Sequence, residues 1–511
     1  VKQNPDDFQV IRIPMSDFQF TIYEEARIQE RNQEKNNAKK QKTKQGKTDD
    51  LYENTTSTYR IFSRAFCNFV FPRPTISRPM PDKKSTAGEE AELKDAVGIN
   101  EDVIDAVTGE EVMNRDESFD GDGDGEGDGD GDGEVVATKT YRERIYEALS
   151  GLKENSAKYL SPEGLEVYSP KFLHILENIQ DEEHEGIHLI YTQFRSLEGI
   201  GILKLVLEAN GYTQFKIKKT GEVWNLAIPE EDIGKPTFAL YTGTETPEEK
   251  EIIRNVLNNA WKYVPDTIVT KLKEKSDTNT MGDIIKVLKI TSSGAEGISL
   301  KNVRYVHITE PYWHPVRIEQ VIGRARRICS HQDLPEELRT VKVFLYLMSL
   351  SEKQLKSDET RELRLHDKSR KNNLTPVTTD ETLYEIATEK ESIATNILTA
   401  VKEASIDCVL HSKSNAKENL QCFTFGSSGS SKFAYKTSYQ DEQSDNIADR
   451  NKKETTWKAK VLEMDGVKYA YNSDTKELFD LDSYKNGDTV KVGDLIIKGK
   501  GSEATYRIEF I

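Results

Sequence analysis

Residues 285–327 read IKVLKITSSGAEGISLKNVRYVHITEPYWHPVRIEQVIGRARR, and the fold turns on how they divide. Two short β-branched or aromatic runs, IKVLKIT (285–291) and YVHIT (305–309), have the composition of strands buried on both faces of a parallel sheet. Small residues follow the first run: Ser292, Ser293, Gly294, Ala295 and Gly297. They let the backbone approach a ligand closely, and hydroxyls and amides there can bind phosphate oxygens. Pro315 can open a helix at its first position. With Ile318 at 0° and about 100° per residue, Val321, Ile322, Ala325 and Cys329 fall within about 60° of it. Gln320, Arg324 and Arg327 fall at about 180–240°, on the opposite side. One face is set to bury, and the other presents an amide and two guanidiniums in a row. Fixed guanidinium forks suit a developing phosphoryl charge. A basic amphipathic helix with a solvated face shows the same pattern.

The alternation continues outward. Strand signals recur at IHLIYT (187–192), TFALY (237–241) and VKVFLYLM (341–348), with helix signals at 197–210, 247–263 and 315–329. This order predicts an α/β fold, a doubly wound parallel sheet with helices on both faces.

The chain has 511 residues, room for two to four domains of about 100–200 residues. With 36% apolar and 31% charged residues, folded parts separated by solvated ones are expected. The net charge of −17 sits in one tract: Glu89–Glu134 holds 19 acids against Lys94 and Arg115. The remainder is neutral, so the acidic balance does not argue against nucleic-acid binding elsewhere. Within the tract, GDGDGEGDGDGDGE is low in complexity and self-repelling, and is read as disordered; it lacks the anchors of an EF-hand loop. The expected division is 1–83, a helical N-terminal region; 84–138, the acidic insertion; 139–351, the α/β lobe; 352–410, a helical extension; 411–455, a polar linker; and 456–511, a small antiparallel β module with period-two strands and DG and NSDTKE turns. Ser16 is the expected N-cap of the first long helix, with Gln19 at the capping-box position. Cys67, Cys329, Cys408 and Cys422 form no CxxC pair, which predicts a reducing compartment. No apolar run approaches the roughly 20 residues that span a bilayer. His188, His307 and His314 are scattered without zinc spacing, and His307 reads as structural. The start, VKQNPDD, reads like a cut edge.

SSGAEGISL followed by EPYWHPVRIEQVIGRARRI resembles motifs V and VI of superfamily-2 helicases. The likeness is to the Swi/Snf-like branch and to the helicase/NTPase proteins of large DNA viruses, poxvirus transcription ATPases among them. Gln320, Gly323, Arg324 and Arg327 match the motif VI pattern QxxGRxxR. IHLIYTQFRSLEGIGIL (187–203) is similar to motif IV, and FALYTGTETPEEKEIIRNVLN to the strand, turn and helix that follow it. MSDFQFTIYEEA and SRAFCNFVFP resemble two elements that precede the second lobe. The resemblance implies the second RecA-like lobe of an ATP-dependent helicase or translocase. Arg324 and Arg327 would then be arginine fingers on the γ-phosphate, positioned by Gln320. Gly297 and Ser299 would lie near the nucleotide sugar, with Gly323 in the nucleotide-binding set; family members carry Asp or Asn where this chain has Ser299. Thr291 and Ser293 would face the nucleic-acid backbone, and Gln193 and Phe194 the interlobe cleft.

No Walker A loop fits: QGKT (45–48) has Gln41 where the first glycine belongs. DEEH (181–184) follows an amphipathic helical pattern and precedes motif IV, so it reads as a connector, not a Walker B acid. The expected cofactors are ATP and Mg²⁺, the metal held mainly by an absent first lobe. The expected partners are that lobe, nucleic acid (DNA in preference to RNA) and viral transcription or virion proteins, with no membrane; the expected location is intracellular, in host cytoplasm or virion. Two other readings stay open: a remodelling or transcription factor that translocates without unwinding, and a non-catalytic nucleic-acid-binding or structural subunit.

Overall fold

Side chains alternate between the two faces of a strand, so a strand buried on both faces is mostly apolar. The computed structural model bears this out for the lobe, with His188, Lys289, Arg304 and His307 as the buried polar exceptions in the central strands. It describes residues 7–43, 60–80, 141–405, 408, 419–420 and 457–510, except 196, 243–244, 292–297, 358–360, 465, 487–489 and 499–504. These form two units, Val1–Thr395 and Asn396–Ile511.

The first unit holds strands β1 (Phe8–Pro14), β2 (Ile187–Tyr191), β3 (Thr213–Gln214), β4 (Ile217–Thr220), β5 (Val223–Leu226), β6 (Thr237–Tyr241), β7 (Val287–Ile290), β8 (Val303–Ile308) and β9 (Lys342–Ser349). Its main sheet runs β1-β9-β8-β2-β7-β6-β3 and is parallel throughout. The helices used below are α1 (Asp17–Thr43), α2 (Ile61–Asn68), α3 (Pro170–Gln180), α4 (Ile202–Ala209), α5 (Pro247–Leu257), α6 (Pro315–Ala325) and α7 (Thr379–Ala404). On one face Ile190, Phe238, Val287, Tyr305 and Phe344 pack with α3 and α4 residues such as Phe172, Ile175, Leu203 and Val206. On the other, Leu189, Ala239, Leu288, Val306 and Leu345 pack with Ile252, Val256, Ile318 and Val321 of α5 and α6. This is the RecA-like, doubly wound arrangement that the sequence predicts.

The N-terminal region opens with a strand, at the strand-like run FQVIRIPM that the sequence predicts, ahead of its long helix. β1 pairs in parallel with β9, from Phe8↔Val343 to Pro14↔Ser349, and closes one edge of the sheet. The expected segments 1–83, 139–351 and the start of 352–410 therefore pack as one unit. Buried polar groups bind them together. The Lys171 ammonium, fully buried, donates to Asp380 Oδ2 at 2.7 Å and to Asn68 Oδ1 at 2.9 Å. Arg27, also fully buried, makes a two-bond fork with Asp367 (3.1 and 2.9 Å) and a third bond to Glu30 (2.8 Å). Ser16 Oγ accepts from Gln19 N–H at 3.0 Å, as an N-cap should. The Gln19 side chain does not complete the capping box; it donates to Phe66 O at 2.8 Å, tying α1 to α2.

A row of rings crosses the α3 face. His188 Nε2 bonds His184 O (3.1 Å), His188 Nδ1 bonds His307 Nε2 (3.0 Å), His307 Nδ1 bonds Tyr346 Oη (2.8 Å), and Asn178 Nδ2 donates to Tyr346 Oη (3.0 Å). Two neutral imidazoles satisfy every link. Burial, together with each other's neighbourhood, holds His188 well below the ordinary histidine value, and burial takes His307 down to about 3. His307 is structural, as expected. DEEH (181–184) lies in the turn between α3 and β2, where His184 Nδ1 bonds Asn178 O at 3.0 Å.

Several lengths differ from expectation. The helix signal at 197–210 is an irregular turn over Leu197–Gly201 followed by α4. A Cβ on Gly199 would run into the Phe194 carbonyl, so glycine alone fits that turn. The β4–β5 hairpin has no counterpart in the sequence reading. The acidic insertion and QGKT lie outside the described residues.

In the second unit, β10 (Lys460–Met464), β11 (Val467–Tyr471), β12 (Glu477–Asp480), β13 (Lys491–Lys498) and β14 (Thr505–Phe510) form one antiparallel sheet over Tyr469, Leu478 and Leu495. The expected breaks TVKVG and DLIIKG are joined in β13, and β14 was not anticipated. Cys408 is disulfide-bonded, a pairing of which the cysteine spacing gives no sign.

Candidate functional site

Pro315 stands at the first turn of α6, after His314 in extended conformation. Ile318, Val321 and Ala325 are buried and Gln320 is exposed, as the projection requires. The helix stops at Ala325, four residues short of expectation. Tertiary bonds pull the chain away: Arg326 donates to Val341 O at 3.0 Å, Ser330 Oγ to Ala325 O at 3.0 Å, and Asn302 N–H to Ser330 O at 2.9 Å. Cys329, expected on the buried face, has φ +61° and is exposed, and Ile328 before it is 96% exposed.

Arg327 therefore lies past the helix and does not share a helical face with Arg324. Its Nη1 donates to Ser299 Oγ. Arg324 is half-buried on the last turn, with its Nε shielded from solvent and bonded to nothing. Among the described residues neither arginine pairs with a carboxylate. The sequence reading places both arginines at the edge where the sheet's strands finish, and the structure corrects that. His331 bonds Val303 O at 2.7 Å, at the start of β8, so the end of α6 and Arg327 lie on the flank near where β8 begins. They are not at the edge where the strands finish.

Ser299 is exposed, but its backbone is held. Asn258, the C-cap of α5, donates through Nδ2 to Ser299 O at 2.8 Å and accepts from Lys301 N–H at 2.8 Å. Gly323 is exposed beside a groove of about 840 Å³, and a Cβ there would meet nothing within 4 Å. Ser293 and Gly297 lie outside the described residues.

Of the residues expected to face nucleic acid or the interlobe cleft, the three described ones turn inward. Thr291 is fully buried and donates to Thr242 O at 2.9 Å. Gln193 and Phe194 are buried too. Gln193 belongs to a polar knot that sequence reasoning missed. Its Oε1 accepts from Arg64 Nη2 at 2.6 Å, and its backbone N–H donates to Glu310. Glu310 also accepts from Thr192 Oγ1 at 3.1 Å and from Asn68 Nδ2 at 3.2 Å. Burial raises the Glu310 carboxyl, against the pull of the Gln193 amide and nearby cations; burial likewise lowers Arg64. The one hint was that SRAFCNFVFP, which carries Arg64 and Asn68, resembled a family element. Trp313 is half-buried beneath Lys390, whose Nζ lies 3.8 Å from the ring centroid.

The fold defines the class as a RecA-like α/β lobe. Residues 231–329 match the helicase conserved C-terminal domain. A protein of Acanthamoeba polyphaga mimivirus, named as an ATP-dependent RNA helicase, is 28% identical over 467 residues, which is 86% of this chain and 49% of that protein. An African swine fever virus protein, named a termination factor NPH-I homolog, is 31% identical over 255 residues, or 49% of this chain and 34% of its own length. The C-terminal part of the Fun30 ATPase domain aligns at 14% identity with a TM-score of 0.31, over 76% of this chain and 98% of that one. Residues 231–329 thus resemble a helicase C-terminal domain, and the chain as a whole is similar to helicase-named proteins of large DNA viruses. It spans about half the length, or less, of these curated relatives.

Proposed function

We propose that this lobe works in an ATP-dependent helicase or translocase acting on nucleic acid, where it supplies Arg324 and Arg327 to a composite nucleotide site. The observation that carries the reading is a pair of guanidiniums that meet no carboxylate among the described residues, one with an orphaned Nε. A buried or half-buried cation without a counter-charge is costly, and an anionic phosphate chain is the group that would offset it. The residues present thus fit a nucleotide triphosphate. Their place on the flank near the start of β8 is not the strand-end edge on which the reading counted, so the reading rests on their unpaired charge, with Gln320 on the neighbouring exposed turn. Bound ATP would supply the free energy of hydrolysis. Arg324 and Arg327 would hold the γ-phosphate and stabilise charge as it develops there. Mg²⁺ is not assigned to residues of this chain: among the described residues no three His, Cys, Asp or Glu side chains converge as ligands.

Nucleic acid would be gripped chiefly through phosphates, so binding would be blind to sequence and weaken with salt. Expectation favoured DNA; the mimivirus relative is named an RNA helicase, and the swine fever virus relative a termination factor. Assaying the full-length parent protein for hydrolysis with single- and double-stranded DNA and RNA tests the reading. Stimulated turnover that Arg327→Ala abolishes is expected. No turnover with any nucleic acid would leave the non-catalytic binding subunit. Strand-displacement and triplex-displacement assays side by side would separate unwinding from translocation alone.

A further inference from the structure

Once α6 stops at Ala325, helical backbone no longer aims Arg327. A free arginine side chain samples many rotamers, and that conformational freedom opposes any single pose. What aims it here is Ser299, whose Oγ accepts from Arg327 Nη1. Ser299 is itself held from behind, because Asn258 grips the backbone on both sides of Leu300, at Ser299 O and Lys301 N–H. Asn258 in turn is fixed at the end of α5 by its own N–H, bonded to Arg254 O at 3.0 Å. The path runs from α5 through Asn258 and Ser299 to one guanidinium.

We infer that Ser299 is a positioning residue for Arg327, steadied by Asn258, and not a contact to the nucleotide sugar. A hydroxyl that accepts from a guanidinium has only one O–H left to offer elsewhere, and it adds no charge. The arginine thus stays fully cationic towards a phosphate. An aspartate at this place would hold it more tightly but would compete for its charge. Serine is a pre-aiming device that leaves the finger available. The inference rests on the proposed function, because it presumes that Arg327 meets a phosphate.

The test uses the full-length parent protein and separates two readouts. In Ser299→Ala, kcat for ATP should fall about tenfold, the scale of one lost hydrogen bond to a charged group. KM for ATP should stay within about twofold, as for an interaction that matters only in the transition state. Ser299→Thr should restore most of the rate. Asn258→Ala should lower kcat in the same sense but less. The second readout is calorimetric binding of a non-hydrolysable ATP analogue and its 2′-deoxy form, and their affinity ratio should be the same in wild type and Ser299→Ala. If the substitution instead raises KM or shifts the ribose-to-deoxyribose ratio, Ser299 touches the sugar and the inference is wrong. A wild-type rate in Ser299→Ala would also overturn it. Inactivity of the wild-type protein would be a failure of the proposed function, and the two results cannot be confused.

Discussion

Two sets of arginines in the same unit are treated in opposite ways. Arg27, with Arg31 and Arg60 beside it, converges on Asp367 at 2.9–3.7 Å, and Glu30 adds a second carboxylate to Arg27. Burial would raise the Asp367 carboxyl, but the fork from Arg27 and the other guanidiniums hold it below the ordinary value. Among the described residues Arg324 and Arg327 have no such partner. The Arg27 cluster is neutralised inside the chain; on the proposed function, the other two keep unmet capacity for a ligand. Glu30 shows the first pattern at its fullest, since its other oxygen accepts from the Phe62 and Ser63 amides, at 2.9 and 3.0 Å, at the start of α2. Arg27 thus helps bind α1, α2 and the segment before α7 into one block.

The sharpest way to break this contrast is to truncate one arginine from each set. Arg327→Ala in the parent protein should cut ATP hydrolysis by about 10³-fold or more, the scale of an arginine finger. A wild-type rate would erase the distinction. Arg27→Ala should destabilise the unit by about 3–5 kcal/mol, because it strands buried carboxylates. Urea unfolding measures this, and a change under about 1 kcal/mol would show the cluster to be ornamental. Lys171→Ala should behave like Arg27→Ala, whereas Arg327→Ala should shift the same midpoint by no more than a surface substitution does.

Acid sharpens the comparison on the neutral side. His188 and His307 are neutral in the fold and charge near the ordinary 6.5 once unfolded. Below about pH 6.5 the unfolded chain therefore binds more protons, and stability falls with pH by about 1.4 kcal/mol per pH unit for each ring, for His307 down to about 3. Denaturant midpoints between pH 7 and 4.5 should show this slope. A double variant, His188→Gln with His307→Phe, should flatten part of it, and an unchanged slope would assign the acid loss to the carboxylates.

Much of the lobe could be read along the chain. A strand buried on both faces announces itself as an unbroken apolar run, so TFALY matched β6 to the residue. Register and partners were less legible. Nothing local in FQVIRIPM says that it closes the sheet beside β9, where Phe8 pairs with Val343. The end of α6 was misjudged for a similar reason: apolar spacing continues to Cys329, but bonds from Asn302, Val303 and Val341 draw the chain off the helix first. The site residues were legible as types but not as neighbours. Ser299 was named for a sugar, and its contact with Arg327 shows only after the crossover between β7 and β8 is folded.

The order of strands and helices, the buried stripe of α6 and the identity of the paired arginines were determined by the sequence alone, because periodicity and residue chemistry are local properties. Which arginine stays on the helix, what steadies the other, and which polar groups are sealed in the knot around Glu310 were decided by tertiary structure. Those outcomes depend on hydrogen bonds between segments far apart in the chain, and no local pattern encodes them.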